Sequence, residues 1–304
     1  MKLERILISM DFSQPAIAGA KWVSEFFAPD AELTLLHVIE PPDRPRFGRP
    51  VLPAPDVIEA VAREDAMLRM REVASYLTAE QPRQEFRVGK PHEAIVNVAK
   101  NGNFDLLVIG PHGDRPRRSR FLGTTADRVV RTSAVPVLVA TNPPLGAPLN
   151  LLVPVDEGPV VPIVLETARE LADRFDAAVT LLHVWSNAVY SHVASMSHAA
   201  AHGDEQVARD DVARELHEAS EHWMREVART GIALDRVSAR VTYGNAGEVI
   251  ADMAASTEAD LIVLGRATAS VVRPALLGST IGTVLHEARR PILIVTEESG
   301  GAAG

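Results

Sequence analysis

Cysteine is absent from all 304 residues, which removes disulfide staples, thiolate metal sites and thiol nucleophiles together. That absence fits a reducing cytoplasm. Basic residues are also in deficit, 31 against 40 acidic, for a formal net charge of -9. Such a field repels polyanions, so nucleic acid is set aside as a principal partner and any anion site must be local. No run reaches the ~18 apolar residues a membrane span requires, and "MKLERILISMDFS" enters a strand-like stretch without an h-region or cleavage site. The chain therefore reads as soluble and cytosolic, with no membrane partner. Motifs of group-transfer chemistry are missing as well. There is no G-x-x-x-x-G-K-[S/T] to place a lysine on β- and γ-phosphates, no G-x-G-x-x-G dinucleotide loop and no G-x-S-x-G nucleophile elbow. No catalytic residue is assigned.

What is present is written twice. "FDLLVIGPHG" at 104–113 returns as "ADLIVLGRAT" at 259–268, and "FLGTTADRVVRTSAVPVLVA" at 121–140 as "LLGSTIGTVLHEARRPILIV" at 276–295. Gly110, Gly123 and Pro136 thus map to Gly265, Gly278 and Pro291, each 155 residues on. Upstream, "TLLHV" at 34–38 recurs at 180–184 with a smaller offset of 146, so the second half carries a nine-residue insertion. A repeat of this length fixes two domains of one fold. In each half, short continuous apolar runs alternate with segments of helical period such as "DVIEAVAREDAMLRMREVASYL" at 56–77. Uninterrupted apolar runs suit strands buried on both faces, and the alternation implies right-handed βαβ units in a parallel sheet. The expected class is α/β, with residues 1–142 and 149–297 forming two tandem doubly wound domains. The stretch "PPDRPRFGRPVLPAPD" at 41–56, with six prolines, is expected to be a loop, and 186–205 irregular. "TNPPLGAP" at 141–148 is expected to link the halves, and 298–304 to be a disordered tail.

In open parallel sheets ligands lie beyond the carboxyl ends of strands, where strand order reverses, so the loop after "DLLVIG" is placed to hold one. Gly110 and Gly113 are expected to use positive φ so that the backbone can approach an anion. Thr124 and Asp127 have the spacing of a capping box at the start of the next helix, whose unpaired amides and dipole favour phosphate. Between Gly113 and Gly123 lie Arg115, Arg117, Arg118 and Arg120, candidates to close over a polyphosphate or simply to be solvated.

The spacing Gly110-x-x-Gly113, nine residues, then Gly123-Thr124 resembles the nucleotide motif of the universal stress protein family. Asp11 in "ISMDFS", His37-Val38, "VGKP" at 88–91 and "VPVLVA" come in the family's order across nearly the whole chain. The resemblance implies flavodoxin-like (adenine nucleotide alpha hydrolase-like) domains, each a five-stranded sheet of order 3-2-1-4-5. It also implies pairing of the last strands of the two halves as an internal pseudo-dimer, with a homodimer as the further assembly. The implied ligand is ATP, or ADP or AMP, in a stress-response regulator acting on an unknown protein partner. Asp11 and Val38 would lie at the adenosine, and Gly110, His112, Gly113, Gly123, Thr124 and Thr125 around the phosphates. Asp156, Val184, Gly265, Gly278, Ser279 and Thr280 would make a second, degenerate site, because Thr268 replaces the middle glycine and a β-branched residue tolerates positive φ poorly. Asp11, Asp156 and Glu157 could hold Mg²⁺ through a nucleotide or hydrogen-bond ribose or base. The alternatives to regulation are a slow Mg-dependent ATP hydrolase and a nucleotide-free interaction scaffold. His37 and His183 read as structural residues at strand ends. His198 and His202 stand at i, i+4 and could share a helix face, with His192 nearby, but no acidic or sulfur ligand is fixed beside them, and a polar exposed segment is the simpler reading.

Overall fold

The computed structural model describes residues 1, 3–41, 55–78, 81–113, 122–186, 214, 218–219, 221–226, 229, 233–267 and 279–297. The chain divides into two compact units, Lys2–Gly146 and Ala147–Gly304, the latter grouped with Met1. Of the segments read from sequence, the arginines at 115–120, the prolines before Pro55, residues 187–205 with the three histidines, Thr268, Gly278 and the tail all lie outside the described residues.

The first unit runs β1 (Arg5–Ser9), α1 (Gln14–Trp22), β2 (Glu32–Ile39), α2 (Pro55–Ser75), β3 (Arg83–Val88), α3 (Pro91–Asn101), β4 (Leu106–Ile109), α4 (Thr124–Thr132) and β5 (Val137–Val139). Every pairing within it is parallel and the order is β3-β2-β1-β4-β5. The second unit contains β6 (Asn150–Val155), α5 (Val161–Phe175), β7 (Ala178–Ser186), β8 (Val237–Gly244), α6 (Ala246–Ser256), β9 (Leu261–Arg266), α7 (Ser279–Glu287) and β10 (Ile292–Thr296). Its order, β8-β7-β6-β9-β10, is the same 3-2-1-4-5 plan and again parallel. Order reverses between β1 and β4 in one unit and between β6 and β9 in the other. A flavodoxin sheet reverses between its first and third strands, so the likeness to flavodoxin lies in the layers and winding. No described helix is long and apolar enough to cross a membrane.

Burial explains the sequence pattern. All of β4, β5 and β10 is buried, as continuous apolar runs require, whereas the edge strand β8 alternates half-buried and exposed positions. Helix starts obey local chemistry. Ser13 caps α1, its Oγ accepting the Ala16 amide, with Pro15 in the first turn. Gly89 and Gly244 stand before α3 and α6 with φ of 144° and 149°, a backbone only glycine adopts without strain. α1 continues into a π turn, Val23–Phe27, that buries Phe27 completely. The segment 141–148 is tied down at one point, where the Trp22 indole donates to the Gly146 carbonyl at 2.9 Å.

One repeated acid has a role that the pattern alone did not reveal. Asp105 Oδ2 accepts the amides of Glu4 and Arg5 at 3.0 and 2.9 Å, and Asp260 Oδ2 accepts those of Leu149 and Asn150, both at 3.0 Å. Each carboxylate thus fastens the first strand of its unit to the strand beside it, at the end away from the ligand loops. Removing either acceptor leaves two amides unpaired. Asp105→Ala and Asp260→Ala are each expected to cost about 1–2 kcal/mol, read as a lower urea midpoint with the m-value unchanged.

Candidate functional site

At the reversal point of the first unit, two loops meet. After β1 the chain passes through Met10, Asp11, Phe12 and Ser13 into α1; after β4 it passes through Gly110, Pro111, His112 and Gly113. Asp11 Oδ1 accepts the Ser13 amide at 3.0 Å, which folds the first loop back on itself. The Ser13 hydroxyl donates to the His112 carbonyl at 3.4 Å and joins the loops. On the other side, the Gly123 amide donates to the Pro111 carbonyl at 2.7 Å. That bond pins together the two ends of the arginine-bearing segment, so α4 begins beside His112.

The glycines work differently from the expectation. Neither Gly110 nor Gly113 lies in the left-handed region; among described glycines only Gly89 and Gly244 do. What these positions need is the absence of a side chain. A Cβ on Gly110 would stand 3.2 Å from the Ala16 amide nitrogen and 3.3 Å from its Cα, so this glycine lets β4 touch the first turn of α1. A Cβ on Gly113 would stand 3.0 Å from Asp11 Oδ2, on the open side of the site, and one on Gly123 would meet the backbone of Pro111 and His112 at 3.3 Å. Positive φ at Gly113 therefore gives no ground for excluding Thr268 from the equivalent place; a side chain at that position is at issue for its bulk.

The expected capping box is also absent. Gly123 is the N-cap of α4, no side chain caps the helix, and Asp127 instead grips Arg131 one turn on at 2.8 and 2.9 Å. With Thr124 exposed and Thr125 half-exposed, the first turn of α4 presents its amides without a competing acceptor. The structure thus gathers Asp11, Gly110, His112, Gly113, Gly123, Thr124 and Thr125 at one edge. Val38, half-buried, stands one residue before the end of β2, one strand away.

Two residues at this edge escaped the sequence reading. Phe12 is buried with φ of 64°, a strained backbone for a bulky side chain, and its ring packs 4.6 Å from that of His37. The guanidinium of Arg69, from α2, also lies over the Phe12 ring, 4.4 Å from its centre. No local signal marks an aromatic for positive φ, and Arg69 is sequence-distant. His37 Nδ1 donates to the Met10 carbonyl at 2.7 Å, and His183 repeats the bond to Val155 at 2.9 Å, as expected of structural histidines.

Burial, and secondarily the nearby Arg69, push the His37 pKa below its ordinary 6.5, against the pull of the Met10 bond and of Asp11 and Asp65. Below pH 6.5 the unfolded chain therefore takes up this proton before the folded chain does. The His37 contribution to stability is complete above that pH and declines as pH falls from it towards the folded value. The urea midpoint is expected to fall between pH 7 and 5.5, and His37→Asn to remove part of that slope.

In the second unit the equivalent edge encloses a cavity of about 360 Å³. Asp156, Val184, Gly265 and Thr280 line it, which brings together four of the six residues expected there. Asp156 repeats the turn of Asp11, its Oδ1 accepting the Gly158 amide at 2.7 Å. Gly265 sits against Val160 and Val164, where a Cβ would meet their side chains at 3.0 and 2.8 Å. Ser279 opens α7. Among the described residues no three His, Asp or Glu side chains converge as a metal site.

A model of the Universal stress protein family matches residues 2–141 and again 149–296. The chain belongs to the universal stress protein family. Universal stress protein Rv2005c of Mycobacterium tuberculosis (strain H37Rv) is 23% identical over 309 residues, spanning 97% of this chain and 98% of that protein. Universal stress protein MJ0577 of Methanocaldococcus jannaschii is 27% identical over 151 residues, 45% of this chain and 93% of its own length. Among solved structures, a universal stress protein from Archaeoglobus fulgidus DSM 4304 shares the fold with a TM-score of 0.68 at 19% identity, covering 97% of both chains. Each universal stress protein repeat here therefore keeps the same reversal point and the same Asp turn. Immediately beyond the glycine that closes the fourth strand the repeats diverge, with Pro111-His112-Gly113 in the first and Arg266-Ala267-Thr268 in the second.

Proposed function

We propose that the first half binds an adenine nucleotide and that occupancy regulates contact with a protein partner in a stress response. The observation that carries this reading is the uncapped first turn of α4 facing the open side of Gly113, where a Cβ would crowd Asp11. A nine-residue helix with no side-chain acceptor at its start offers amides and dipole to an anion. Gly113, Gly123, Thr124 and Thr125 would meet the phosphates, with His112 beside them. Arg115, Arg117, Arg118 and Arg120 lie in sequence between Gly113 and Gly123, and the Pro111–Gly123 bond holds both ends of that segment at the site. Asp11 and the Val38 backbone would meet the adenosine. Asp11 already accepts the Ser13 amide, which suits a ribose partner better than a magnesium ligand.

Denaturing freshly purified protein and identifying the released small molecules by mass spectrometry tests the ligand class directly. An adenine nucleotide at up to one per chain is expected. Calorimetry with millimolar ATP, ADP and AMP that registers no heat would end the reading.

A further inference from the structure

The two halves pack an aromatic ring on the histidine near the end of their second strand, but they take that ring from different elements. In the first half it is Phe12, from the loop after β1, 4.6 Å from the His37 ring. In the second it is Trp223, a buried helical residue 5.4 Å from the His183 ring. "MREVA" at 70–74 recurs at 224–228, so Trp223 stands where the first half has Arg69, and Glu157 follows Asp156 as Phe12 follows Asp11. Aromatic and charged residue have exchanged places. In the first half a guanidinium on α2 therefore lies over a ring that belongs to the ligand loop, which joins helix to loop. In the second half the aromatic stays on the helix and the loop residue, Glu157, is exposed.

The backbone at Phe12 gives this contact a use. Asp156 Oδ1 accepts the Gly158 amide at 2.7 Å with Glu157 outside the left-handed region, so an aspartate turn here does not require positive φ. Asp11 makes the same turn to Ser13 with Phe12 at φ of 64°. What accompanies the strain is the seating of the Phe12 ring against His37 and Arg69. A bulky residue keeps such a backbone only where its surroundings hold it there. The adjacent residue is Asp11, whose Oδ1 holds the turn while Oδ2 lies toward the open side of Gly113. We propose that Phe12 is a positioning residue for the first-half site: its ring, held by His37 and Arg69, fixes the Asp11 carboxylate towards the ligand, so that nucleotide affinity depends on the contact between α2 and the loop. This rests on the nucleotide reading of the first half. Arg69 acts through Phe12, and a loop that spends less time in the competent form binds more weakly by that fraction.

The test is ATP calorimetry on the full chain at about pH 8, where His37 is neutral because its pKa lies below 6.5. Arg69→Met keeps an unbranched stem and loses the charge. Arg69 is exposed, so the thermal midpoint should hold within about 2 °C while ATP affinity falls about threefold to fivefold, the worth of one exposed cation–π contact. Arg69→Lys should restore at least half of that loss. Phe12→Gly, which permits positive φ but has no ring to hold it there, should weaken ATP about tenfold, and adding Arg69→Met to it should change affinity by less than about 1.5-fold. Should Phe12→Gly fail to fold, Phe12→Leu, which keeps apolar bulk without a π face, takes its place in the cycle. Losses that multiply in the double variant would put Arg69 on the ligand itself and overturn the proposal. So would a native chain that binds ATP with an affinity Arg69→Met leaves unchanged, and that result would spare the nucleotide reading. A native chain that gives no ATP heat overturns both.

Discussion

Gly113→Val is expected to weaken ATP binding about 100-fold while the thermal midpoint stays within about 2 °C of the parent. The side chain would begin 3.0 Å from the Asp11 carboxylate and extend over the open edge where α4 starts. A ligand held back from that edge loses two or more charge-assisted hydrogen bonds to backbone amides. At about 1.5 kcal/mol or more each, that amounts to about 3 kcal/mol, or two decades of affinity. Stability is spared because Gly113 is exposed and only the Asp11 carboxylate need move. Calorimetry and a melting curve on the same preparation check both halves. An unchanged ATP affinity would remove phosphate from this edge.

Gly110→Val, three residues earlier in the same motif, is expected to do the opposite. Here the new Cβ meets the backbone nitrogen and Cα of Ala16 at 3.2 and 3.3 Å, and backbone in the first turn of a capped helix cannot step aside cheaply. Overpacking of this kind is expected to cost about 3 kcal/mol, lowering the midpoint by roughly 6–12 °C. A protein that still folds at low temperature should retain measurable ATP binding. If Gly110→Val leaves the midpoint in place, the tight seat of β4 on α1 is wrong. The two glycines are thus expected to separate by phenotype, one through the ligand and the other through packing, although the motif writes them identically.

Much of the architecture was legible because it is carried by local and periodic features. Runs such as "LLVI" and "ILIV" lack alternation since both faces of those strands are covered, and the constant spacing of Gly110, Gly123 and Pro136 from their copies exposed the duplication. Ser13 and Asn245 announce helix starts by side chains that bond amides two or three residues away. The misreadings arose where a residue has a partner that its motif does not include, whether near or far in the chain. Asp127 has capping-box spacing from Thr124, but Arg131 one turn on offers a bidentate charge partner and wins it. Gly110 invites a φ argument from composition alone, yet its reason for being glycine is Ala16, 94 positions earlier.

By itself, then, the sequence determined two copies of a parallel α/β unit and their strands and helices. These stem from hydrophobic period, chain direction and the handedness of βαβ crossovers, all properties of neighbouring residues. Tertiary structure alone decided which glycine is for packing and which faces the open edge, that Arg69 and His37 both pack on Phe12, and that Arg266 lines the cavity of the second half. Those depend on distances between atoms far apart in the chain, which no local pattern encodes.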